Sequence, residues 1–245
     1  MYNFYAVIIG TEILNNRRED KHFKFIRDLL NSYGHTLFAT FIIKDDKELI
    51  KNAFELIKKD EKAVLFSFGG IGSTPDDLTR QIAADVFTGE PLVCHEKFEQ
   101  DIIERFKEEA YPHRIHMAQL PKNANLIKNP VNNMSGFELE HRYFFVPGFP
   151  QMSHPMIKEC VEKYFSKSVK RYRKTLLADT SENTLIDIMK SIPSDIELSS
   201  LPILNNNDPQ VELSLSYHDP DKVKSAFDKF VNYLKDKNIG YVSKD

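Results

Sequence analysis

Two apolar runs, residues 4–9 and 63–68, are interrupted only by Ser67, and each is followed directly by a glycine. Such runs are typical of strands that are buried on both faces of a sheet. Apolar residues at helical spacing over residues 20–33 and strand-like composition over residues 36–43 lie between them. This alternation of strand and helix predicts an α/β fold, with a mostly parallel sheet covered by helices on both faces. Parallel sheets bind ligands at the carboxyl ends of their strands, where these glycines fall.

A basic stretch at residues 167–174 is the best candidate for a domain boundary. Before it, residues 126–130 and 137–146 predict two strands, and a helix follows through Tyr164. After it, the pattern predicts a β-α-β-β-α-β unit. Its elements are expected at residues 174–178, 181–191, 196–204, 211–217, 221–236 and 240–243. We therefore predict a first domain at residues 1–168 and a small α+β domain at residues 169–245.

Composition excludes several classes of function. The 33 Lys and Arg against 36 Asp and Glu give a net charge of −3, which argues against nucleic acid as the main partner. Two distant cysteines, Cys94 and Cys160, predict neither a disulfide framework nor a cysteine zinc site. The N-terminal apolar run is too short to span a membrane and lacks the basic start of a signal peptide, so we expect a cytoplasmic protein without a membrane partner.

The chain has only nine glycines in 245 residues, and most of them lie in or beside three predicted strand-end loops. Glycine is retained where the backbone needs a positive φ or approaches a ligand closely. The clustering indicates one site, although tight turns alone could account for it. The six clustered glycines are Gly10, Gly69, Gly70, Gly72, Gly136 and Gly148.

The segment from Gly69 to Thr79 begins with three glycines and continues through Thr74-Pro75-Asp76-Asp77. Thr74 suits a helix N-cap and Asp77 the N3 position of a capping box, so we predict a helix from Thr74, and capping alone would account for both residues. The glycine-rich junction would present free N–H groups to a phosphate. Asp76 and Asp77 would repel that phosphate by ~4 kcal/mol per charge pair at 4 Å, and a divalent cation would reverse the sign. The junction is therefore predicted to be a poor anion site without metal and a suitable metal–phosphate site.

Glu12, two residues beyond the first strand, is the expected third carboxylate. Asp20 is either a fourth oxygen ligand or only the cap of the following helix, because Asp is a preferred N-cap.

Four strings resemble one family in the same order along the chain. They are Gly10-Thr11-Glu12-Ile13-Leu14, the Gly69–Thr79 segment, Asn129-Pro130-Val131 and Pro147-Gly148-Phe149-Pro150. Together they resemble the molybdopterin-binding-type (MoaB/MogA-like) domain, in the form found in the competence/damage-inducible protein A (CinA) family and in the N-terminal domain of eukaryotic FAD synthetase. The resemblance covers residues 4–165. Residues 170–245 resemble the small middle domain of CinA proteins, called KH-type, and the CinA deamidase domain is not expected.

The resemblance implies a three-layer α/β fold, a homodimer and a phosphorylated small-molecule partner, either a pterin or a nucleotide diphosphate. It also implies metal-dependent hydrolysis of ADP-ribose or FAD with Mg²⁺, Co²⁺ or Mn²⁺. Glu12, Asp76 and Asp77 are then the candidate catalytic residues, and Glu12, Asp77 and Asp20 the candidate metal ligands. The candidate substrate-binding residues are Gly10, Thr11, Gly69, Gly70, Ile71, Gly72, Ser73, Thr74, Asn129, Pro147, Gly148 and Pro150.

The chain departs from the family pattern within these strings. Ser73 stands where the family usually has proline, Asn132 where it has glycine, and Ser135 where it has proline. These substitutions support an alternative function: a module of molybdenum cofactor metabolism that binds a pterin or nucleotide without hydrolysing it.

Overall fold

A computed structural model describes residues 2–167, 170–203 and 209–244. The chain divides into two compact units, Met1–Ser168 and Val169–Asp245. No helix in the described ranges is both long enough and apolar enough to cross a bilayer.

The first unit is built on a six-stranded sheet with strand order β2-β1-β3-β8-β7-β6. The neighbours β2, β1, β3 and β8 run parallel, and β7 lies between β8 and β6, antiparallel to both. Its strands are β1 Asn3–Ile9, β2 Leu37–Ile43, β3 Ala63–Phe68, β6 Asn125–Ile127, β7 Gly136–Leu139 and β8 Tyr143–Val146, with a separate pair β4 Val93–Cys94 and β5 Gln119–Leu120. Its α-helices are α1 Thr11–Leu14, α2 His22–Ser32, α3 Lys47–Lys58, α4 Thr79–Ala83, α5 Glu96–Phe106 and α6 Pro150–Phe165. A π-helical turn follows α4 at Ala84–Thr88, and 3₁₀ turns lie at Lys107–Ala110 and Arg114–Ala118.

Successive side chains of the central strands point to opposite faces of the sheet and pack into two separate hydrophobic cores. Tyr5, Val7 and Ile9 of β1 pack on the side of α3, α4 and α5. Phe4, Ala6 and Ile8 pack on the other side, against α2 and α6. Burial on both faces explains why β1 and β3 have no polar alternation, and it confirms the predicted α/β fold.

One predicted strand is wrong in its extent. Residues 137–146 form the hairpin of β7 and β8, in which Leu139 pairs with Tyr143. Glu140 and His141 both adopt positive φ in the turn, at 55° and 54°. Neither is the glycine or asparagine that usually marks such a turn, so the composition gave no signal for it.

The second unit is a four-stranded antiparallel sheet with order β10-β11-β9-β12, packed against two helices. Its elements follow the predicted β-α-β-β-α-β order. They are β9 Tyr172–Ala178, α7 Glu182–Lys190, β10 Glu197–Ile203, β11 Gln210–Tyr217, α8 Pro220–Asp236 and β12 Tyr241–Ser243. Leu204, predicted as the end of β10, lies outside the described residues, as do residues 168 and 169 at the predicted boundary.

Two histidines pack between α2 and α6 in the first unit. The His22 ring stacks on Phe68 at 4.5 Å between centroids, and the His154 ring stacks on Phe25 at 3.8 Å. Nδ1 of His22 and Nε2 of His154 are buried without a hydrogen-bond partner among the described residues. Burial and, to a smaller extent, the nearby His22 lower the pKa of His154 to about 4, and Asp20 opposes the shift. Burial also lowers the pKa of His22.

We therefore expect the first unit to lose stability as the pH falls from 6.5 towards 4. The unfolded chain binds a proton at each histidine near pH 6.5, but folded His154 does so only near pH 4, so protons favour unfolding in this window. His154→Phe keeps an aromatic ring against Phe25 and removes the titrating group, so it should reduce the difference in Tm between pH 7 and pH 5. Each kcal/mol of unfolding free energy that no longer depends on pH should reduce that difference by about 2–4 °C.

Thermal unfolding followed by circular dichroism at the two pH values measures this. His116→Phe changes an exposed histidine of the same unit and serves as the control. An equal loss of Tm at pH 5 in His154→Phe and in the unsubstituted protein would contradict the prediction.

Candidate functional site

A cavity of about 530 Å³ lies at the carboxyl ends of β1, β3 and β8. Parallel strands bring these three ends to the same edge of the sheet, although the segments are far apart in sequence. The predicted site residues that line the cavity are Glu12, Gly69, Gly70, Ile71, Gly72, Ser73, Thr74, Asp76, Asp77, Pro147 and Gly148.

Glycine is required at two positions where the loop leaves β3. Gly69 and Gly70 have φ of +102° and +69°. A Cβ on Gly69 would lie 2.4 Å from the carbonyl oxygen of Ile9, and one on Gly70 would lie 2.3 Å from Oγ1 of Thr79. The loop therefore passes directly over the end of β1 and the start of α4, which no larger residue would allow.

The wall contributed by β8 is fixed from two sides. A Cβ on Gly148 would lie 3.4 Å from Cα of Gly69, so the two loops pack backbone to backbone. On the other side, Nε2 of the buried His22 lies 3.3 Å from the carbonyl oxygen of Gly148. His22 was not predicted as a site residue, although it stands where the family resemblance leads one to expect asparagine.

The glycine loop comprises residues 69–72, and each of its four backbone carbonyl groups accepts a hydrogen bond from within the protein. Thr79 donates from its N–H to Gly70 at 2.9 Å and from its hydroxyl to Gly69 at 3.0 Å. The Arg80 guanidinium, only 8% exposed, donates to the carbonyls of Ile71 and Gly72. Burial lowers the pKa of Arg80, and the charge of Asp77 opposes this shift.

The backbone N–H groups along this segment differ from its carbonyl groups. Those of Gly70, Ile71, Gly72 and Ser73 donate to no acceptor within the described part of the chain. A run of free backbone N–H groups beside a cavity is suited to an anion such as phosphate.

The predicted helix start at Thr74 is wrong, because α4 begins at Thr79. Oδ2 of Asp77 accepts from Thr74 N–H at 2.8 Å and from its hydroxyl at 2.6 Å, and Asp77 N–H donates to the Thr74 carbonyl at 3.0 Å. These bonds close a separate turn and use the Thr74 hydroxyl as a donor, so Thr74 does not cap a helix. The Asp77 carboxylate also packs onto Gly72, where a Cβ would lie 2.6 Å from Oδ2.

Glu12 faces the cavity from α1 and is paired with an arginine that the sequence analysis missed. Nη1 of Arg18 lies 3.3 Å from Oε1 of Glu12, and the guanidinium lies 4.9 Å from the centre of the Phe149 ring. The N–H of Arg18 donates to the carbonyl of Glu12 at 3.0 Å, so the chain folds back immediately after α1. This return places a cation beside the predicted carboxylate.

A second missed arginine comes from a distant segment. Arg114 begins the second 3₁₀ turn after α5, and it lines the cavity. Its Nη1 donates to the backbone carbonyl of Glu109 at 2.9 Å and to its carboxylate at 2.7 Å, and its guanidinium lies 4.6 Å from the centre of the Phe106 ring. These contacts hold the side chain in place while its other nitrogens make no hydrogen bond within the described residues.

The two arginines add positive charge to an acidic lining. Glu12, Asp76, Asp77 and the unpredicted Asp45 line the same cavity as Arg18 and Arg114. The lining thus holds four carboxylates against two guanidinium groups, and the requirement for a divalent cation beside a bound phosphate stays a prediction.

One end of the cavity is apolar, and its residues were also missed. Phe98, Phe106, Met117 and Met134 line it together with Ile71. They come from α5, the second 3₁₀ turn and the loop before β7. Flat side chains and flexible methionines suit a planar apolar group.

Asp20 lies away from this cavity and caps α2. Its carboxylate accepts from His22 N–H at 2.8 Å and from Phe23 N–H at 3.1 Å. Over residues 2–167, 170–203 and 209–244, no three Asp, Glu, His or Cys side chains are grouped as a metal would require.

Four further predicted residues do not line the cavity but contact or adjoin residues that do: Gly10, Thr11, Asn129 and Pro150. Thr11 donates to Asp45 from its N–H at 2.8 Å and from its hydroxyl at 2.9 Å, and Gly10 lies under the Glu12 carboxylate. Asn129, 1% exposed, donates to the carbonyl of Met134 at 3.1 Å and so shapes the loop before β7. Pro150 is the first residue of α6.

Residues 5–167 match the family model described as a probable molybdopterin binding domain. A CinA-like protein of Syntrophotalea carbinolica is 33% identical over 165 residues, which cover 65% of this chain and 40% of the relative. A CinA-like protein of Sulfurihydrogenibium sp. is 27% identical over 198 residues, which cover 76% of this chain and 49% of the relative. The chain thus spans less than half the length of these relatives.

Among solved structures, the protein CinA of Thermoplasma acidophilum matches with a TM-score of 0.59 and 28% identity, over 66% of this chain and 96% of that one. The family resemblance and the fold predicted from the sequence motifs are confirmed. The chain belongs to the family of probable molybdopterin binding domains and is similar to its CinA-like members.

Proposed function

We propose that the first unit binds the diphosphate group of a nucleotide-type ligand at the cavity and hydrolyses its phosphoanhydride bond in the presence of a divalent metal. The observation that carries the proposal is the row of unpartnered N–H groups from Gly70 to Ser73, in a cavity that Arg18 and Arg114 also line. Backbone N–H groups and guanidinium groups are the donors that phosphate oxygens prefer. Family membership supports a phosphorylated small-molecule ligand of this kind.

The residues present fit a metal ion that is held only in part by the protein. Mg²⁺ typically takes one or two carboxylates and completes its shell with water and phosphate oxygens. Glu12 and Asp77 line the cavity, and Oε2 of Glu12 and Oδ1 of Asp77 accept no hydrogen bond from the described residues. Mg²⁺, Co²⁺ or Mn²⁺ bound there would polarise a phosphoryl oxygen and make water a better nucleophile. Asp20 is not part of this proposed ligand set, because its carboxylate caps α2.

The protein's own groups would orient the substrate. The loop N–H groups would take the charge that develops on the attacked phosphate, and the arginines would hold the neighbouring phosphate. Asp76 is exposed in the same cavity and is the carboxylate that we assign to accept a proton from the attacking water. The products would be two phosphate monoesters, AMP among them when the ligand is ADP-ribose or FAD.

A binding module without turnover is the second candidate, and specific contacts favour it. Oε1 of Glu12 is already paired with Arg18, and Oδ2 of Asp77 holds the Thr74 turn. Each carboxylate therefore offers a metal one oxygen rather than two, which weakens its metal binding. A phosphorylated pterin or nucleotide would still find the loop donors and the apolar end of the cavity.

Hydrolysis is tested by incubating the purified chain with ADP-ribose or FAD and each of the three metals while AMP release is followed by chromatography. Asp77→Asn keeps a hydrogen-bond acceptor for Thr74 but removes the charge, and we expect it to lower the rate by about 100-fold. Asp85→Asn neutralises an exposed aspartate outside the cavity and should leave the rate unchanged. Equal rates in Asp77→Asn and the unsubstituted protein would refute the assigned role. Ligand binding without AMP release would establish the binding module instead.

Binding itself is tested through Arg114. Arg114→Gln should weaken the affinity for ADP-ribose by about 10-fold to 100-fold, because hydrogen bonds to charged groups contribute ~1.5–3 kcal/mol each. Arg105→Gln is the matched control: Arg105 also lies over Phe106, at 5.5 Å, but does not line the cavity. Titration calorimetry without metal measures both. Similar affinities in the two variants would show that Arg114 makes no contact with the phosphates.

A further inference from the structure

The edge strand β2 has a strand partner on one side only. It stands first in the sheet order and, among the described strands, pairs with β1 alone. The carbonyl of Ile43 accepts from the N–H of Gly10 at 3.0 Å, so the backbone groups of Ile43 face β1. Because the backbone groups of successive strand residues point in opposite directions, those of Thr40 and Ile42 point away from the sheet.

The regular part of β2 lacks the usual protection of a sheet edge. The pairing with β1 shifts register at the start of the strand, where Phe38 is the extra residue, and it is regular over residues 39–43. These residues include neither a charged residue nor a proline. Natural proteins protect an exposed edge with charges, prolines or bulges. The irregularity at Phe38 affects only the start of β2, so residues 39–43 are open to a further strand.

Exposed apolar side chains accompany this open edge. In β2, Phe38 is 63% exposed and Ile42 is 38% exposed. In α3, Leu49 and Leu56 are 46% and 54% exposed. Large apolar side chains that are exposed together on one surface are typical of an interaction site.

Leu49 and Leu56 lie on the flank of α3 that faces the β2 edge. The Phe54 ring lies 5.6 Å from the Phe87 ring in the π-helical turn, and Phe87 lies 5.9 Å from Phe145 of β8. Phe54 thus marks the flank of α3 that faces β8, on the side of β1 away from β2. At 3.6 residues per turn, Leu49 and Leu56 lie on the opposite flank.

We infer that β2 pairs antiparallel with β2 of a second copy of this chain, about a two-fold axis at Phe41. Phe41 is the centre of residues 39–43, so this axis pairs the whole regular segment with itself. The outward backbone groups of Thr40 then exchange hydrogen bonds with those of Ile42 of the partner subunit, and the reverse, which gives four N–H···O bonds.

The side chains of β2 suit pairing with themselves. A two-fold axis places identical surfaces against each other, so any charge at the centre would meet its own sign. Residues 39–43 contain no charge, and aromatic and β-branched residues in adjacent strands stabilise each other. The same axis brings the flanks of the two α3 helices that carry Leu49 and Leu56 to the same side of the joined sheet. An identical copy therefore fits this edge without an unfavourable contact between like charges.

The interface is small. A segment of five strand residues and four exposed apolar side chains from each copy bury less than the ~800 Å² per partner of a standard interface. We therefore expect a reversible dimer, whose population rises with protein concentration. The inference concerns the sheet edge and does not depend on the function proposed for the cavity.

Sedimentation velocity of the full chain, from about 1 μM to about 300 μM, measures this equilibrium in the range where small interfaces associate. Ile42→Lys places a charge on the open edge and should raise the dissociation constant of the dimer about tenfold or more. Ile103→Lys is the matched control, because Ile103 is 37% exposed on α5 and lies outside β2 and α3. It should dimerise as the unsubstituted chain does, and the Tm of each variant shows that it is folded.

Hydrogen exchange followed by NMR on the unsubstituted chain tests which surface is used. The N–H groups of Thr40 and Ile42 should exchange more slowly as the dimer forms, whereas those of Phe41 and Ile43, which face β1, should be protected at every concentration. Three results would overturn the inference: a monomer over the whole concentration range, a dimer that leaves the exchange of Thr40 and Ile42 unchanged, or equal dissociation constants in the two lysine variants.

Discussion

The buried guanidinium of Arg80 determines which way the glycine loop faces. It donates to the carbonyls of Ile71 and Gly72. With these carbonyls bonded to Arg80, the N–H groups of the same residues are without partners in the described protein, and our proposal gives them to a ligand. Burying a cation is costly without compensating contacts, and the nearby charge of Asp77 offsets part of that cost. The proposed anion site therefore depends on a residue that would not itself touch the ligand.

Asp77 has more than one role in this arrangement. Its carboxylate closes the turn at Thr74, packs onto Gly72 and opposes the desolvation of Arg80. A carboxylate already engaged with positive and donor groups is a weaker metal ligand than a free one. Metal and arginine would thus share the neutralisation of a bound diphosphate, with Arg18 and Arg114 contributing fixed charge and the ion contributing the chemistry that they lack. This division is compatible with a catalytic domain and with one that only binds.

The sequence predicted features that depend on local pattern. The apolar runs of β1 and β3, the order of elements in both units and the convergence of three glycine loops all follow from residues that are close together in the chain. The errors arose where a nearby pattern competed with a distant contact. Thr74 and Asp77 have the spacing of a capping box, but the N–H of Thr79 donates to the carbonyl of Gly70, and the helix starts at Thr79. The turn at Glu140 and His141 was missed because neither residue type commonly marks positive φ.

The sequence by itself determined the buried strands, the glycines that allow the end of β3 to cross the end of β1, and the acidic residues at the strand tips. These follow from steric and hydrophobic rules that act over a few residues. Only the tertiary structure decided the charge and shape of the cavity. Arg18 arrives through a chain reversal after α1, and Arg114 and Phe106 arrive from the segment around α5. An arginine carries no local signal of the surface that it will face, because its partners are brought to it by the packing of distant elements.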